Sequence, residues 1–525
     1  MNRFLPVALC LCYGLAPAQD DRSAIEGQVL NGVTGEPLRK AALTLQIIGV
    51  RGQPMVTVTD AGGQFAIDNI DPGRYLLSAE RNGFVRQSYG SRSPNRPGTT
   101  LTLERGQRVT DLVIKLMPQA VITGRILDED NDPIANVTVQ TLRYGYMQGK
   151  RQLVPTSAEQ SNDLGDYRIH GLPAGKYYVI ATVRSRPAGE SYPPVYYPGA
   201  NDPAAAIQVD VAAGSEVRGI DMTLHHVNTV RVRGKIPDLP RGTPVRIIPR
   251  GSAIPFLGGG PMAQIISQEG DFEIRGVAPG SYVMLIDVQQ NGKHRTFRHA
   301  LEVGNAGLEG ITIPIPPEAH IEGQIRVDGQ GDINLGILSL QLPLRDPMPV
   351  GTPASPVKPD GSFGIENLAP DTYDVNVSGL PPGYYLKSAS LSGQDVLDSG
   401  LTIAGGTAKL ELVVSPAGAQ VEGVVADAKQ EPAKDATVVL IPEAARQARR
   451  SLFKTASTDQ NGHYSIQGIA PGDYIVYAFE DLPPGASQDP DFMKPFERSG
   501  QSVTLREGGH ESNQLQQIPA DESQF

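Results

Sequence analysis

The strongest constraint on the fold is a pattern that occurs five times along the chain. In each copy a glycine is followed by an aromatic residue two positions later, an isoleucine four later and a tyrosine twelve later. The glycines are Gly63, Gly165, Gly270, Gly361 and Gly462. The tyrosines are Tyr75, Tyr177, Tyr282, Tyr373 and Tyr474. Because a repeat of about a hundred residues has the length of one small domain, the pattern predicts a tandem array of five related modules.

Each module also opens with a glycine that has β-branched apolar residues two positions away on both sides, as in Ile122 to Ile126. Side chains of a strand alternate between its faces, so this segment predicts a strand with one buried face. Tight-turn dipeptides such as Asn461-Gly462 lead into further alternating segments. About seven short strands per module, with almost no helical periodicity, predict an all-β array of antiparallel β-sandwiches.

The repeat predicts the domain boundaries. We expect modules one to five at 19–118, 119–228, 229–317, 318–417 and 418–525, the last including a C-terminal tail. Short, proline-containing links such as Pro118-Gln119 predict a semi-rigid rod. The longest stretch that breaks the repeat follows Tyr177, and loops that vary between modules are where recognition is expected.

Residues 1–18 have the features of a secretory signal peptide. Arg3 precedes an apolar stretch from Phe4 to Leu15, and small residues at 16 and 18 predict cleavage after Ala18. Both cysteines lie inside this segment, so the mature chain is predicted to contain no disulfide. A net charge of −11 with no basic block argues against nucleic acid as a partner. No later apolar run is long enough to span a bilayer, which predicts a secreted or periplasmic protein of the cell envelope.

The repeat resembles a known domain family. Module five carries Thr458 to Ile466, then Ile469 to Tyr474, downstream of an opening strand at Val421 to Val425. This cassette resembles the carboxypeptidase regulatory-like domain, which is grouped with Cna B-type modules and the carbohydrate-binding-like fold. The resemblance covers nearly the whole mature chain. It implies five transthyretin-like β-sandwich domains.

No catalytic or metal site is predicted. The only zinc-peptidase spacing is His299-x-x-Glu302, on a predicted strand where residues three apart face opposite sides. Asp128, Asp130 and Asp132 form a D-x-D-x-D run, which indicates a solvated acidic turn, with a loose calcium site as the alternative. We therefore expect a non-enzymatic protein without a cofactor.

Clustered tyrosines in module two are the best candidates for a binding site. They are Tyr144, Tyr146, Tyr192, Tyr196 and Tyr197. Tyrosine rings stack on sugars and also suit protein recognition, whereas the alternative is that these rings cover module edges or pack between neighbours. The leading hypothesis is an exported binding protein whose partner is a polysaccharide or an extracellular protein, with carbohydrate binding by these five residues. The alternative is a structural spacer or adhesive stalk that binds a protein at the cell envelope.

Overall fold

The computed structural model describes residues 22–48, 53–91, 98–147, 149–183, 192–250, 262–290, 293–329, 331, 333–346 and 351–520. The predicted signal peptide lies outside the described residues. None of the helices in the described part of the chain is long and apolar enough to cross a membrane.

Modules one and two each contain two sheets. The strands of module one are β1 (Ser23–Asn31), β2 (Ala42–Ile47), β3 (Met55–Val58), β4 (Gln64–Ile70), β5 (Gly73–Glu80), β6 (Gln87–Ser88), β7 (Leu101–Leu103) and β8 (Arg108–Leu116). Those of module two are β9 (Ala120–Asp128), β10 (Val137–Met147), β11 (Lys150–Gln160), β12 (Asp166–Leu172), β13 (Gly175–Val183), β14 (Val195–Tyr196), β15 (Val209–Val211), β16 (Glu216–Val217) and β17 (Met222–Leu224). The sheet orders are β4-β1-β8 and β3-β2-β5-β6 in module one, and β12-β9-β16 and β11-β10-β13-β14 in module two.

Modules three and four continue this arrangement. Module three has β18 (Val230–Lys235), β19 (Pro244–Pro249), β20 (Met262–Gln264), β21 (Asp271–Val277), β22 (Gly280–Gln290), β23 (Lys293–Val303) and β24 (Leu308–Thr312). Module four has β25 (Ala319–Val327), β26 (Ser339–Gln341), β27 (Ala354–Pro356), β28 (Ser362–Leu368), β29 (Asp371–Tyr373), β30 (Asn376–Ser378), β31 (Tyr385–Leu391), β32 (Gln394–Asp395), β33 (Leu401–Ile403) and β34 (Gly406–Ser415). In module four the closing strand β34 also pairs with β31, so the sheet that contains the opening strand has the order β28-β25-β34-β31-β32.

Module five contains the one α-helix of the described residues. Its strands are β35 (Ala419–Ala426), β36 (Thr437–Pro442), β37 (Lys454–Ser457), β38 (His463–Ile469), β39 (Gly472–Phe479), β40 (Gln501–Leu505) and β41 (His510–Gln516). The helix α1 (Pro490–Met493) precedes β40, and 3₁₀ turns lie at Pro203–Ala205, Leu335–Ile337, Ala444–Arg446, Arg450–Leu452, Ala486–Gln488 and Lys494–Phe496. The sheet orders are β38-β35-β41 and β37-β36-β39-β40.

The predicted all-β fold class is confirmed, and the structure adds parallel pairs of strands: two in module two and one in each of the others. In every module the opening strand pairs antiparallel with the cassette strand and parallel with a closing strand. Five apolar clusters fill the space between sheets, and each takes nearly all of its buried residues from one module. The number of modules and their boundaries stay a prediction.

The five cassette tyrosines have one structural role. Each hydroxyl donates a hydrogen bond to the carbonyl oxygen four residues earlier, at 2.7 or 2.8 Å. Each cassette glycine has a φ between 72° and 85°, which is the left-handed region that favours glycine. The cassette therefore builds a turn followed by a tyrosine corner, which explains its invariance along the chain.

These buried rings predict a loss of stability in alkali. Burial raises the pKa of Tyr373 and of Tyr464 to about 12. An unfolded chain releases tyrosine protons near pH ~10, so the stability from these groups is full below that pH and is lost as pH rises towards ~12. A tyrosinate absorbance titration should show a late fraction that ionises together with loss of the β circular-dichroism signal. A single ionisation step near pH ~10 with unchanged circular dichroism would contradict this.

Module five also contacts modules that are distant in sequence. The Gln460 side chain donates to the Thr102 carbonyl oxygen at 3.0 Å and accepts from the Thr102 amide at 3.2 Å. The ring of Tyr146 lies 5.5 Å from that of Phe492. The short links predict a rod, but in the structure these contacts return module five to modules one and two.

Candidate functional site

The candidate site lies on the outer face of the larger sheet of module two. Strands β10 and β13 are adjacent there, with Leu142 opposite Tyr178. Since Tyr177, Val179 and Ala181 point into the core, the alternating residues of β13 point outwards. A second apolar cluster of Leu142, Leu153, Ile180 and Tyr196 covers this outer face, with Tyr178 packed against it. The sheet is therefore apolar on both sides.

Tyr144 is the exposed aromatic residue of this face. Its exposed fraction is 41%, and it lies on β10 opposite Leu153. The ring meets Tyr178 edge-to-face, with centroids 5.6 Å apart and planes at 87°. The Arg151 guanidinium carbon lies 3.9 Å from the Tyr144 ring centroid, which is a cation–π distance. Two neighbours thus hold the Tyr144 ring in place while leaving much of it accessible.

Tyr178, Arg151 and Gln208 were missed in the sequence analysis. Burial raises the pKa of Tyr178, the neighbouring Tyr144 hydroxyl adds to this, and a hydrogen bond with Gln208 lowers it. Period-two alternation could have found Tyr178, because it follows the core residue Tyr177 directly. Nothing in the sequence pairs Arg151 with Tyr144. We call Tyr144, Arg151, Tyr178 and Gln208 the tyrosine face.

The other predicted tyrosines are less accessible. Tyr192 and Tyr196 are each only 6% exposed, and Tyr197 is half-buried against the module-two core. The Tyr192 ring lies 4.4 Å from that of His226. Tyr196 packs in the outer-face apolar cluster against which Tyr178 lies, and this burial raises the pKa of Tyr196. These three rings support the face and the core rather than presenting open surfaces.

Tyr146 lies at a contact between modules. It packs edge-to-face against Phe492 at 5.5 Å and joins an apolar cluster on the outside of module five that includes Tyr477, Phe479 and Met493. This is the alternative arrangement that the sequence left open, in which a ring packs between neighbours. In the structure Tyr144 and Tyr196 therefore lie near each other, whereas Tyr146 contacts module five.

The acidic run at Asp128 forms a turn, and the motif of His299 and Glu302 lies on a strand. One Asp128 carboxylate oxygen accepts hydrogen bonds from the amides of Asp130 and Asp132 at 3.0 and 2.9 Å, which closes a turn. The same turn recurs in module five around Asp427. His299 and Glu302 are three residues apart on β23. Within the described ranges, no group of three or more His, Cys, Asp or Glu side chains is placed to hold a metal ion.

Comparison with known proteins identifies the domain type. Residues 24–117 match the sequence profile of the carboxypeptidase regulatory-like domain. This match confirms the resemblance for module one. No curated protein matches the chain.

Several solved structures are similar to the chain at low identity. The Bacillus anthracis TIE protein is 13% identical, and the match spans 72% of this chain and 68% of the TIE chain with a TM-score of 0.15. A Streptococcal ancillary pilin is 14% identical, and the match spans 55% of this chain and 98% of the pilin with a TM-score of 0.20. The major pilin subunit of Bacillus cereus is 12% identical, and the match spans 95% of this chain and 99% of the pilin subunit with a TM-score of 0.14. Values this low support no statement on function or on the arrangement of the modules.

Proposed function

We propose that the chain is an exported, non-enzymatic binding protein and that the tyrosine face binds carbohydrate. The observation that carries this is the accessibility of Tyr144, 41% exposed although Tyr178 and Arg151 contact its ring. An aromatic ring held in one orientation loses little conformational entropy when a ligand stacks on it. Arg151 and Gln208 add hydrogen-bond donors beside the ring, as recognition of sugar hydroxyls requires.

The test is binding of the purified chain to a glycan array and to insoluble polysaccharides. Tyr144→Ala should weaken binding by about tenfold or more, because truncating an aromatic anchor costs over ~1 kcal/mol. Tyr144→Phe should keep most of the affinity, since the ring remains. A double substitution of Tyr196 and Tyr197 is less informative, because Tyr196 is buried and its loss would disturb folding.

Ile266→Ala is the control, because Ile266 is an apolar residue of module three that is 56% exposed. We expect this variant to bind as the original chain does. Absence of any glycan binding, or equal binding by Tyr144→Ala, would refute the carbohydrate proposal. Capture of a protein partner independent of sugar would instead support the spacer or adhesive alternative. The contacts of module five with modules one and two do not favour an extended spacer.

A further inference from the structure

A second candidate site is a cavity between modules four and five. Its volume is 650 Å³, within the range of about 300–1,000 Å³ that is usual for small-molecule sites. Module four contributes the segment from Val375 to Leu386, and module five contributes Arg449 to Leu452, Lys454 and the turn around Gly468. The cavity shares no residue with the tyrosine face.

The cavity is lined by positive charge. Arg449 is only 9% exposed; its Nη2 donates to the Leu386 carbonyl oxygen at 2.8 Å, and its Nε donates to the Ser451 hydroxyl at 3.4 Å. Both acceptors are uncharged. Lys454 lies on the same wall, and among the described residues no hydrogen bond or ion pair reaches its ammonium group. Arg450 also lines the cavity and has polar partners of its own.

No negative charge in the lining balances these cations. The residues that line the cavity include no aspartate or glutamate, although Asp374 lies near Arg450 and Glu507 accepts a hydrogen bond from the lining residue Tyr385. Burial lowers the pKa of Lys454, and the nearby Arg449 charge lowers it further. Burial also lowers the pKa of Arg449, although Asp395 and Asp398 act in the opposite direction. Because charges removed from water are normally paired, the buried Arg449 and the partly buried Lys454 in one lining without an acid favour an anion there.

The rest of the lining suits a sugar rather than a bare inorganic anion. Asn376 and Gln467 in the lining carry side-chain amides, and Pro381 and Pro382 add apolar surface. Side-chain amides can both donate hydrogen bonds to and accept them from sugar hydroxyl groups, which a bare inorganic anion does not require. We propose that this cavity binds a carboxylate-bearing sugar, a uronate unit of an acidic polysaccharide, with its carboxylate at Lys454 and Arg449.

The experiment measures binding of a short oligogalacturonate and of its methyl ester to the full chain by calorimetry. The acid should bind at least about tenfold more tightly than the ester, because charge-assisted hydrogen bonds need the ionised carboxylate. Its affinity should fall as salt is raised. Lys454→Met should weaken binding of the acid at least about tenfold. Lys434→Met is the matched control, since Lys434 is exposed in the same module and removes the same charge.

The fold of the Lys454→Met variant is checked by its denaturant midpoint. We expect this midpoint to equal or exceed that of the original chain, because the substitution removes an unpaired, partly buried charge. Equal binding of acid and ester, equal binding by Lys454→Met, or no binding of the acid would each overturn the proposal. Equal competition by inorganic phosphate would overturn the sugar assignment as well. Binding of neutral glycans tests the tyrosine face only, so the two proposals fail separately.

Discussion

Replacing Gly234 with alanine is expected to destabilise module three by about 3 kcal/mol, enough to open its smaller sheet. Gly234 lies on β18 opposite Ile311 of the parallel strand β24. An added Cβ would overlap the Ile311 carbonyl oxygen and would lie 2.5 Å from Ile311 Cγ1 and 3.1 Å from the carbonyl carbon. The backbone atoms cannot move aside without breaking the strand pair. The large effect therefore comes from backbone contact rather than from a change in the core.

Hydrogen exchange on the full chain localises this effect, because it reports on the amides of each strand separately, whereas a denaturant midpoint does not show which module has opened. The β18, β21 and β24 amides should exchange faster in Gly234→Ala, with the other modules unchanged. Gly304→Ala is the control: Gly304 is exposed in the same module, and an added Cβ there meets nothing within 4 Å. Similar exchange in both variants would show that the close approach is not required.

Tyr474→Ala is expected to cost about 3–5 kcal/mol in module five, as for other large aromatic residues removed from a core. Tyr474 is only 2% exposed and lies in the module-five core between its sheets. Its hydroxyl also donates to the Ala470 carbonyl oxygen at 2.8 Å, which joins the start of β39 to the preceding turn. Tyr474→Phe should keep the packing and lose only the hydrogen bond, at about 1 kcal/mol.

The measurement for Tyr474 is local hydrogen exchange of β36, β38 and β39, together with urea unfolding monitored by circular dichroism. Val56→Ala serves as the surface control, since Val56 is 64% exposed, and should change stability by less than about 0.5 kcal/mol. If Tyr474→Phe were as damaging as Tyr474→Ala, the hydroxyl and not the ring would hold the corner. If neither had an effect, the tyrosine corner would not be a structural element.

The local elements of this fold could be predicted because they repeat. Positive φ at Gly462 and a buried ring at Tyr474 follow from turn chemistry and strand alternation, which act within about a dozen residues. The parallel pairing of β1 with β8 was not predicted, because these strands are joined by the whole length of the module. Alternation shows which face of a strand is buried but does not show which strand lies beside it.

The candidate sites depended more strongly on tertiary contacts. The composition and spacing of module two made all five tyrosines equivalent candidates. Burial then separated Tyr144, which is 41% exposed, from Tyr192 and Tyr196, which are each 6% exposed. The residues that contact Tyr144 could not be predicted from the sequence, because they lie on other strands. Arg151 lies on β11 and Tyr178 on β13, the two strands on either side of β10. The carbohydrate role of these residues stays a prediction.

The sequence by itself determined an all-β chain of repeated modules, each with a glycine at the centre of its opening strand and a glycine-to-tyrosine cassette. Those features depend on backbone sterics and on the alternation of a strand, both of which are local. Only the tertiary structure decided which rings stay exposed and that Arg449 and Lys454 share a cavity with residues of module four. The exposure of a side chain and the clustering of charges depend on neighbours from distant parts of the chain, so no local sequence pattern predicts them.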